Sequence, residues 1–470
     1  MQTKQFYIAG DQQSSSKTTA IKNPYTNTEL AQVYQADKEH IEQTILSAQE
    51  AFKTTSQYSS HERSEILRSI ASQLKHRKEE FAQLITAEAG KPITFSRAEV
   101  DRAISTFEIA SEEAKRITGE MVPLDVTTST KNKQGIITRF PIGIIACISP
   151  FNFPLNLVAH KIAPAIASGN SFILKPPPQT PLTSLFLAEV LLNSGFVKSA
   201  INVVPTSNEL AEQLVADERI AMLSFTGSAK VGWMLKQKAG KKKIVLELGG
   251  NAGVIVDKTA DVEHAVARCI LGGFGYAGQV CIKVQRIIIH ESLYDRFEKE
   301  FVDAASKVVV GDPLNEKTIV GPMISESESK RIEAWVSEAV SQGAKVLTGG
   351  TRNGIFYRPT VLTNVKSEMK VCSEEIFGPV VTLEKDSTIK EAVEKINNSR
   401  YGLQAGIFSN DFRNIQYAYR HLNIGAVIVN DYPTFRVDNM PYGGVKDSGF
   451  GREGVKYAIQ EMMEPRLLVF

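Results

Sequence analysis

Short apolar runs alternate with segments of helical period along this chain, and that rhythm constrains the fold more than any other feature. Ile142 to Ile148, Ser171 to Leu174, Ile201 to Val204, Ala221 to Phe225 and Ile244 to Leu246 are apolar and strand-length, with helix-like stretches such as Thr183 to Asn193 between most of them. A continuous apolar run of that length fits a strand buried on both faces, as in parallel sheets with crossover helices. A second series follows Gly250. Gly253 to Val256, Gln285 to His290, Leu403 to Phe408 and Ala426 to Val429 read as strands; Val262 to Leu271, Tyr294 to Val308, Glu328 to Ser341 and Ile389 to Asn397 read as helices. Ahead of both, Ile41, Ile45, Ala48 and Phe52, then Ile66, Ile70 and Leu74, then Phe81, Leu84 and Ile85 recur at helical spacing until Gly90 and Pro92 stop the run. At 470 residues the chain is too long for one ordinary core. The expectation is an α/β protein with a domain boundary near Gly249-Gly250.

Two segments break the rhythm. Asp125 to Arg139 is polar, Thr-rich and extended, and Pro465 to Phe470 is an apolar strand without an evident partner. An open apolar strand invites pairing with another chain. These segments are expected to build a small antiparallel sheet used in self-association.

Composition excludes several function classes. The 54 basic and 52 acidic residues are well mixed and leave a net charge of +2, so there is no electrostatic case for nucleic acid or an anionic membrane. The longest apolar region, Ile142 to Ala159, is interrupted by Ser149, Pro150, Asn152, Pro154 and Asn156, which is too polar to span a bilayer. Met1 to Phe6 lacks the apolar stretch of a signal peptide. Cys147, Cys269, Cys281 and Cys372 show no paired spacing and the seven histidines are scattered, which reads as free thiols in a reducing cytoplasm with no metal site.

Among the cysteines, Cys147 lies in a strand-like run and Cys269 on the helical stripe Val262, Val266, Cys269, Ile270; both read as core. Cys281 follows a Gly-rich break, Phe274-Gly275-Tyr276-Ala277-Gly278-Gln279-Val280, and reads as a reactive thiol at the end of an element. Glu247 interrupts the apolar strand Ile244-Val245-Leu246-Glu247-Leu248. A carboxylate there is costly unless paired or functional. Two readings stand: a general base with a raised pKa, or a salt bridge to one of Lys241 to Lys243. Asn152, in Ser149-Pro150-Phe151-Asn152-Phe153-Pro154, is held in a turn and offers an amide that can stabilise an oxyanion; a plain turn-forming Asn is the alternative. Phe225-Thr226-Gly227-Ser228 opens a helix whose first N–H groups suit a pyrophosphate, although the Rossmann glycine spacing is absent. Lys175, followed by three prolines, and Glu375, two residues before Phe377, are placed to meet a ribose and an aromatic ring; each alone would be a surface loop.

The order Asn152, Lys175, Gly227, Glu247, Cys281, Glu375-Phe377, with the ending Pro441-Tyr442-Gly443-Gly444-Val445-Lys446-Asp447-Ser448-Gly449, closely resembles the NAD(P)-dependent aldehyde dehydrogenase superfamily from about Ile8 onward. The resemblance implies an aldehyde-dehydrogenase-like fold: two doubly wound parallel-sheet domains plus a small antiparallel oligomerisation sheet. Residues 1–123 and 142–249 would bind the dinucleotide, 250–450 would form the catalytic domain, and 124–141 with 451–470 the oligomerisation segment.

The resemblance also implies roles. Cys281 would be the nucleophile, Glu247 the base for deacylation, Asn152 with the Cys281 N–H the oxyanion hole, and Lys161 a lysine of the active-site helix. Lys175 would contact the adenosine ribose, Gly227 and Ser228 the pyrophosphate, and Glu375 the nicotinamide ribose beside Phe377. Ser149, Phe151 and Leu248 would line the same cofactor pocket. The cofactor would be NAD or NADP; many NAD-preferring members carry a glutamate three residues after the lysine, where this chain has Pro178. A homodimer or homotetramer is expected.

Within the superfamily, Phe274 to Arg286 and Thr434 to Tyr442 resemble the lactaldehyde dehydrogenase-like and non-phosphorylating glyceraldehyde-3-phosphate dehydrogenase-like branches. Arg102 matches a phosphate-binding arginine of the second branch, while Phe435 and Arg436 stand in the loop at the substrate entrance. Two arginines at one mouth favour a small anionic aldehyde bearing phosphate, phosphonate, sulfonate or carboxylate, and the resemblance to both branches leaves a hydroxylated aldehyde such as lactaldehyde beside it. The alternative pairs Arg102 with Glu99 or Asp101 and leaves Arg436 solvated. Competing functions are a CoA-acylating aldehyde dehydrogenase and a cofactor-independent thiol hydrolase.

Overall fold

The computed structural model describes residues 3–470; Met1 and Gln2, which open the segment read above for a signal peptide, lie outside the described residues. The first apolar series forms a sheet ordered Gly449–Phe450, Lys243–Glu247, Ile220–Thr226, Ile144–Ile148, Ser171–Lys175. Its neighbours run parallel except Gly449–Phe450, which caps one edge antiparallel, with Leu246 opposite Phe450. The chain goes from Ile144–Ile148 outward to Ser171–Lys175 and then returns to the other side as Ile220–Thr226. That reversal creates a crevice at the carboxyl ends of the strands, the usual ligand position of an open α/β sheet.

The second series forms a sheet ordered Lys345–Thr348, Thr360–Thr363, Val380–Asp386, Val284–His290, Ala252–Val256, Gln404–Phe408, Ala426–Val429. Only the Lys345–Thr348 edge is antiparallel. Thr360–Thr363 and Val380–Asp386 were not legible as strands, because charged Glu384, Lys385 and Asp386 dilute the second and the first has four residues.

The third sheet is antiparallel. Met463–Val469 pairs along Gln134–Pro141, and Glu120–Pro123 closes the other side. The C-terminal strand therefore has a partner in its own chain, and Glu120–Pro123 joins a sheet that sequence patterning did not extend so far. Ile201 to Val204, expected as a strand, makes only isolated bridges from Val203 to Tyr7 and Leu174.

Helices Lys38–Thr55, Ser60–His76, Lys78–Ala89 and Ile93–Ala114 precede these three sheets and follow a small N-terminal sheet of Thr3–Lys4, Glu29–Tyr34 and Thr18–Lys22. Asp37 caps the first, Ser59 and Glu62 form a reciprocal capping box on the second, and Gly90 ends the third with φ +65°. Glu99, fully buried on the last of these helices, does more than fill space. It pairs with buried Lys91 and accepts the Leu155 and Asn156 N–H groups at 2.9 and 3.1 Å. Lys91 in turn lies 3.6 Å from the Phe153 ring centroid and 4.7 Å from that of Tyr276. One ion pair thus braces both the Asn152 turn and the segment leading to Cys281. Glu99→Gln leaves Lys91 buried without a counter-charge and should cost about 3–5 kcal/mol, measured as a loss in urea unfolding.

Candidate active site

Parallel strands of the first sheet end on sequence-selected residues. Ser149 follows Ile144–Ile148, Lys175 closes Ser171–Lys175, Gly227 follows Ile220–Thr226, and Glu247 closes Lys243–Glu247. The second sheet starts from the opposite side of the cleft. Cys281 lies just ahead of Val284–His290, on a turn whose residues Tyr276, Ala277 and Gly278 have φ of 53°, 54° and 67°. Three successive left-handed residues, two of them not glycine, are a strained arrangement that surrounding contacts must hold. Gln279 supplies them: its side chain bonds the Tyr276 and Pro322 carbonyls at 3.4 and 3.3 Å and accepts the Ile324 N–H at 2.9 Å. At Gly250 a side chain would collide with the Cys281 carbonyl, so the two halves of the cleft touch main chain to main chain.

Cys281 is partly buried, while Cys147, Cys269 and Cys372 are buried. Burial pushes the Cys281 thiol up to about 11, opposed by its hydrogen bond with the Tyr442 hydroxyl. Asn152 is 3% exposed and its amide donates to the Gln279 carbonyl at 2.9 Å. The amide is not free in the cleft as expected; one N–H ties it to the cysteine turn and the second remains.

Glu247 is 2% exposed. One carboxylate oxygen accepts the Glu453 N–H at 3.3 Å and the other has no partner. The salt-bridge alternative fails, because Lys243 binds Glu464 at 2.7 Å and Lys242 binds the Ala216 carbonyl. Burial, then the Glu453 charge, raise the Glu247 pKa well above the usual carboxylate range. Glu453 goes the other way. Burial opposes its charge, but Lys161 at 2.9 Å and Arg436 at 3.2 Å hold it below the normal range. Two facing carboxyls pushed apart in pKa give one neutral and one charged group, the usual basis for dividing acid–base roles.

Lys161 is fully buried and also donates to Thr226 at 2.7 Å and Ser224 at 3.3 Å. Arg436 is the largest departure from its expected solvated alternative: its side chain is 5% exposed. Its guanidinium stacks 3.6 Å from the Tyr442 ring centroid and approaches His160, while its Nε has no partner. Arg102 pairs through two nitrogens with Asp438, at 2.7 and 3.2 Å, and not with its helix neighbours. Those are taken, Glu99 by Lys91 and Asp101 by Lys78. Phe435 is 42% exposed on the same loop.

The cofactor residues also converge. Lys175 is 4% exposed, no acceptor among the described residues reaches its ammonium, and burial lowers it to about 8. Glu375 accepts the Gly250 N–H at 3.1 Å, and burial raises its carboxyl to about 7. Phe377, at φ 46°, meets Phe151 edge to face with centroids 6.0 Å apart. Gly227 donates to the Glu247 carbonyl at 3.0 Å, and exposed Ser228 starts the helix Ala229–Lys238 without a side-chain cap. The Ser149 hydroxyl is buried and unpartnered. Leu248 packs so closely on Gly232 that a side chain there would overlap it. An unpaired ammonium, an unpaired hydroxyl, an uncapped helix start and a carboxylate along one crevice fit a dinucleotide.

Sequence patterning missed Tyr442, Glu453, His160 and Asp438 as parts of this site. Asn156 and His160 held a signal: two polar residues four apart on the apolar helix Asn156–Ala167, both bonded to Asp438. Glu453 gave none. Among the described residues no group of three His, Cys, Asp or Glu clusters as metal ligands, and no helix is long and apolar enough to cross a membrane.

Comparison with known proteins agrees with this geometry. The aldehyde dehydrogenase family model matches residues 11–468. The chain is 45% identical to a 3-sulfolactaldehyde dehydrogenase of Priestia aryabhattai, over all of this chain and 98% of that protein. The crystal structure of aldehyde dehydrogenase 21 from Physcomitrella patens with its product succinate superposes with a TM-score of 0.98 at 48% identity, covering 100% of this chain and 98% of that one. A glyceraldehyde-3-phosphate dehydrogenase from Methanocaldococcus jannaschii, complexed with NADP, superposes with a TM-score of 0.93 at 39% identity, covering 97% and 100%. The unpaired buried groups, the strained cysteine turn and these likenesses lead to one assignment: the chain belongs to the aldehyde dehydrogenase family, NAD(P)-dependent oxidoreductases acting on the aldehyde group.

Proposed function

We propose that the enzyme oxidises a small aldehyde bearing an anionic group, carboxylate, sulfonate or phosphate, to its acid through a thioester on Cys281. The observation that carries the substrate class is Arg436: a buried guanidinium with an unpartnered Nε, stacked on the tyrosine that touches the Cys281 sulfur. A buried unpaired donor is costly and is relieved by an anionic ligand. The names of the sulfolactaldehyde relative and the succinate-bound relative support this reading. Asp438 holds Arg102 through two of its nitrogens, whereas Arg436 shares the single Glu453 carboxylate with Lys161 and keeps its Nε unpartnered, so Arg436 is the principal anchor.

In the proposed mechanism Cys281 adds to the carbonyl and the second Asn152 N–H steadies the oxyanion. The nicotinamide cofactor, when bound, supplies the hydride acceptor. The acyl group then remains on the sulfur, and Glu247, once ionised, takes a proton from the water that releases it. Lys161 and Arg436 keep Glu453 charged beside Glu247, so Glu247 holds its proton until the cleft or the pH removes it. Lys175, Ser149, Phe151, Leu248, Gly227, Ser228, Glu375 and Phe377 would hold the dinucleotide. Exposed Pro178 presents no carboxylate against a 2′-phosphate, which favours acceptance of NADP.

Residues 1–123 and 142–249 are proposed as the dinucleotide-binding unit and 250–450 as the catalytic unit. Self-association through residues 124–141 and 451–470 is supported by the exposure of Leu467, Leu468, Val469 and Phe470. Four free thiols support a cytoplasmic location.

Arg436→Leu tests the substrate class. KM for succinic semialdehyde or 3-sulfolactaldehyde should rise about tenfold or more while KM for propanal holds, and any loss of kcat through Glu453 or Cys281 should fall on both substrates alike. An equal rise in KM for charged and neutral aldehydes would reject the anionic substrate.

A further inference from the structure

Cys281 and Tyr442 meet in a contact that the scheme above leaves unused. The sulfur lies 3.1 Å from the Tyr442 hydroxyl, and among the described residues no other group hydrogen-bonds to it. Tyr442 is 3% exposed and its position is fixed three times over. Its main chain exchanges hydrogen bonds with Glu453 at 3.0 and 2.7 Å. Its ring packs with Ile282 and Leu403. Its face carries the Arg436 guanidinium, which Glu453 holds from the other side.

Chemistry decides which atom donates. A free thiol is more acidic than a free phenol by about 1.5 pH units. Burial raises both groups here, the thiol to about 11 and the phenol well above its usual range. When the pair loses one proton, sulfur loses it and the phenol keeps its own. The O–H then points at an anion, and a charge-assisted hydrogen bond is about twice as strong as a neutral one. Glu247 and Glu375 face the sulfur and oppose its ionisation; Arg436 favours it. No histidine takes this part, because His160 is bonded to Asp438 at 2.7 Å and faces Arg436.

We propose that Tyr442 is a further catalytic residue: its hydroxyl donates a hydrogen bond to the Cys281 thiolate, and Arg436 on the ring face reinforces it. The thiol proton leaves to a solvent base, and Tyr442 neither gains nor loses one. The inference rests on Cys281 being the nucleophile, and the two are separable by experiment.

The test is the pH profile of iodoacetamide alkylation on the full-length enzyme, with Cys281→Ser protein giving the background from the other cysteines. Tyr442→Phe should move the Cys281 midpoint up by about one pH unit, a roughly tenfold slower alkylation below it. Should that variant lose its fold, wild-type enzyme grown with 3-fluorotyrosine reads the same bond. Fluorine acidifies the phenol and strengthens the donor, so the midpoint should fall. Coincident midpoints for wild type and Tyr442→Phe, or for fluorinated and ordinary enzyme, would overturn the proposal. Undiminished aldehyde turnover by Cys281→Ser would overturn the nucleophile assignment beneath it.

Discussion

Replacing Cys281 by Ala should lower kcat/KM for aldehyde oxidation by about four orders of magnitude or more, with cofactor affinity retained. No other thiol among the described residues can take its place. Cys147, Cys269 and Cys372 are buried in packing, and burial pushes Cys147 and Cys372 up to about 12. The side chain removed is small and partly exposed, so the melting temperature should barely move. Cys372→Ala is the matched control and should leave turnover within about threefold. Steady-state rates with an anionic aldehyde, beside cofactor binding by fluorescence, separate lost chemistry from lost structure. A cofactor-independent thiol hydrolase would instead show ester hydrolysis without any reduced cofactor formed from aldehydes.

Glu247→Gln should lower steady-state kcat by about 10²- to 10⁴-fold while one burst of reduced cofactor per active site survives. The asymmetry follows from the division of labour. Gln keeps the shape and accepts the Glu453 N–H, but it cannot take a proton from water. The pH dependence has a definite sign. The Glu247 pKa is raised, so the carboxyl is neutral below it and becomes a competent base as pH rises through it. Wild-type kcat should therefore climb on the alkaline side, and the Gln variant should lose that limb. A CoA-acylating enzyme would behave otherwise: its wild type would stall after the burst until a thiol was added.

The sheets were legible because parallel strands buried on both faces must be apolar throughout, as Ile144–Ile148 and Ala252–Val256 are. Val380–Asp386 escaped because Glu384, Lys385 and Asp386 break its apolar run, and Ile201 to Val204 read as a strand because apolar packing alone resembles one. In the site, Cys281, Glu247 and Asn152 stood out as residues out of keeping with their surroundings: a thiol after glycines, a carboxylate in an apolar strand, an amide between prolines. Tyr442 and Glu453 did not, since an aromatic and an acid near a glycine loop look ordinary until the fold sets them beside the sulfur and Lys161. Arg436 is legible by its place in the loop but its burial is not, because that depends on Glu453 and His160 from other segments and on the Tyr442 ring folded back from the end of its own loop.

The most direct measurement is peptide mass spectrometry of Glu247→Gln enzyme quenched after mixing with NADP and succinic semialdehyde. Sulfur attack followed by base-dependent release predicts the mass of the acyl group on the peptide containing Cys281, in an amount matching the burst. An unmodified Cys281 peptide alongside full formation of reduced cofactor, or an acyl group carried elsewhere, would contradict it.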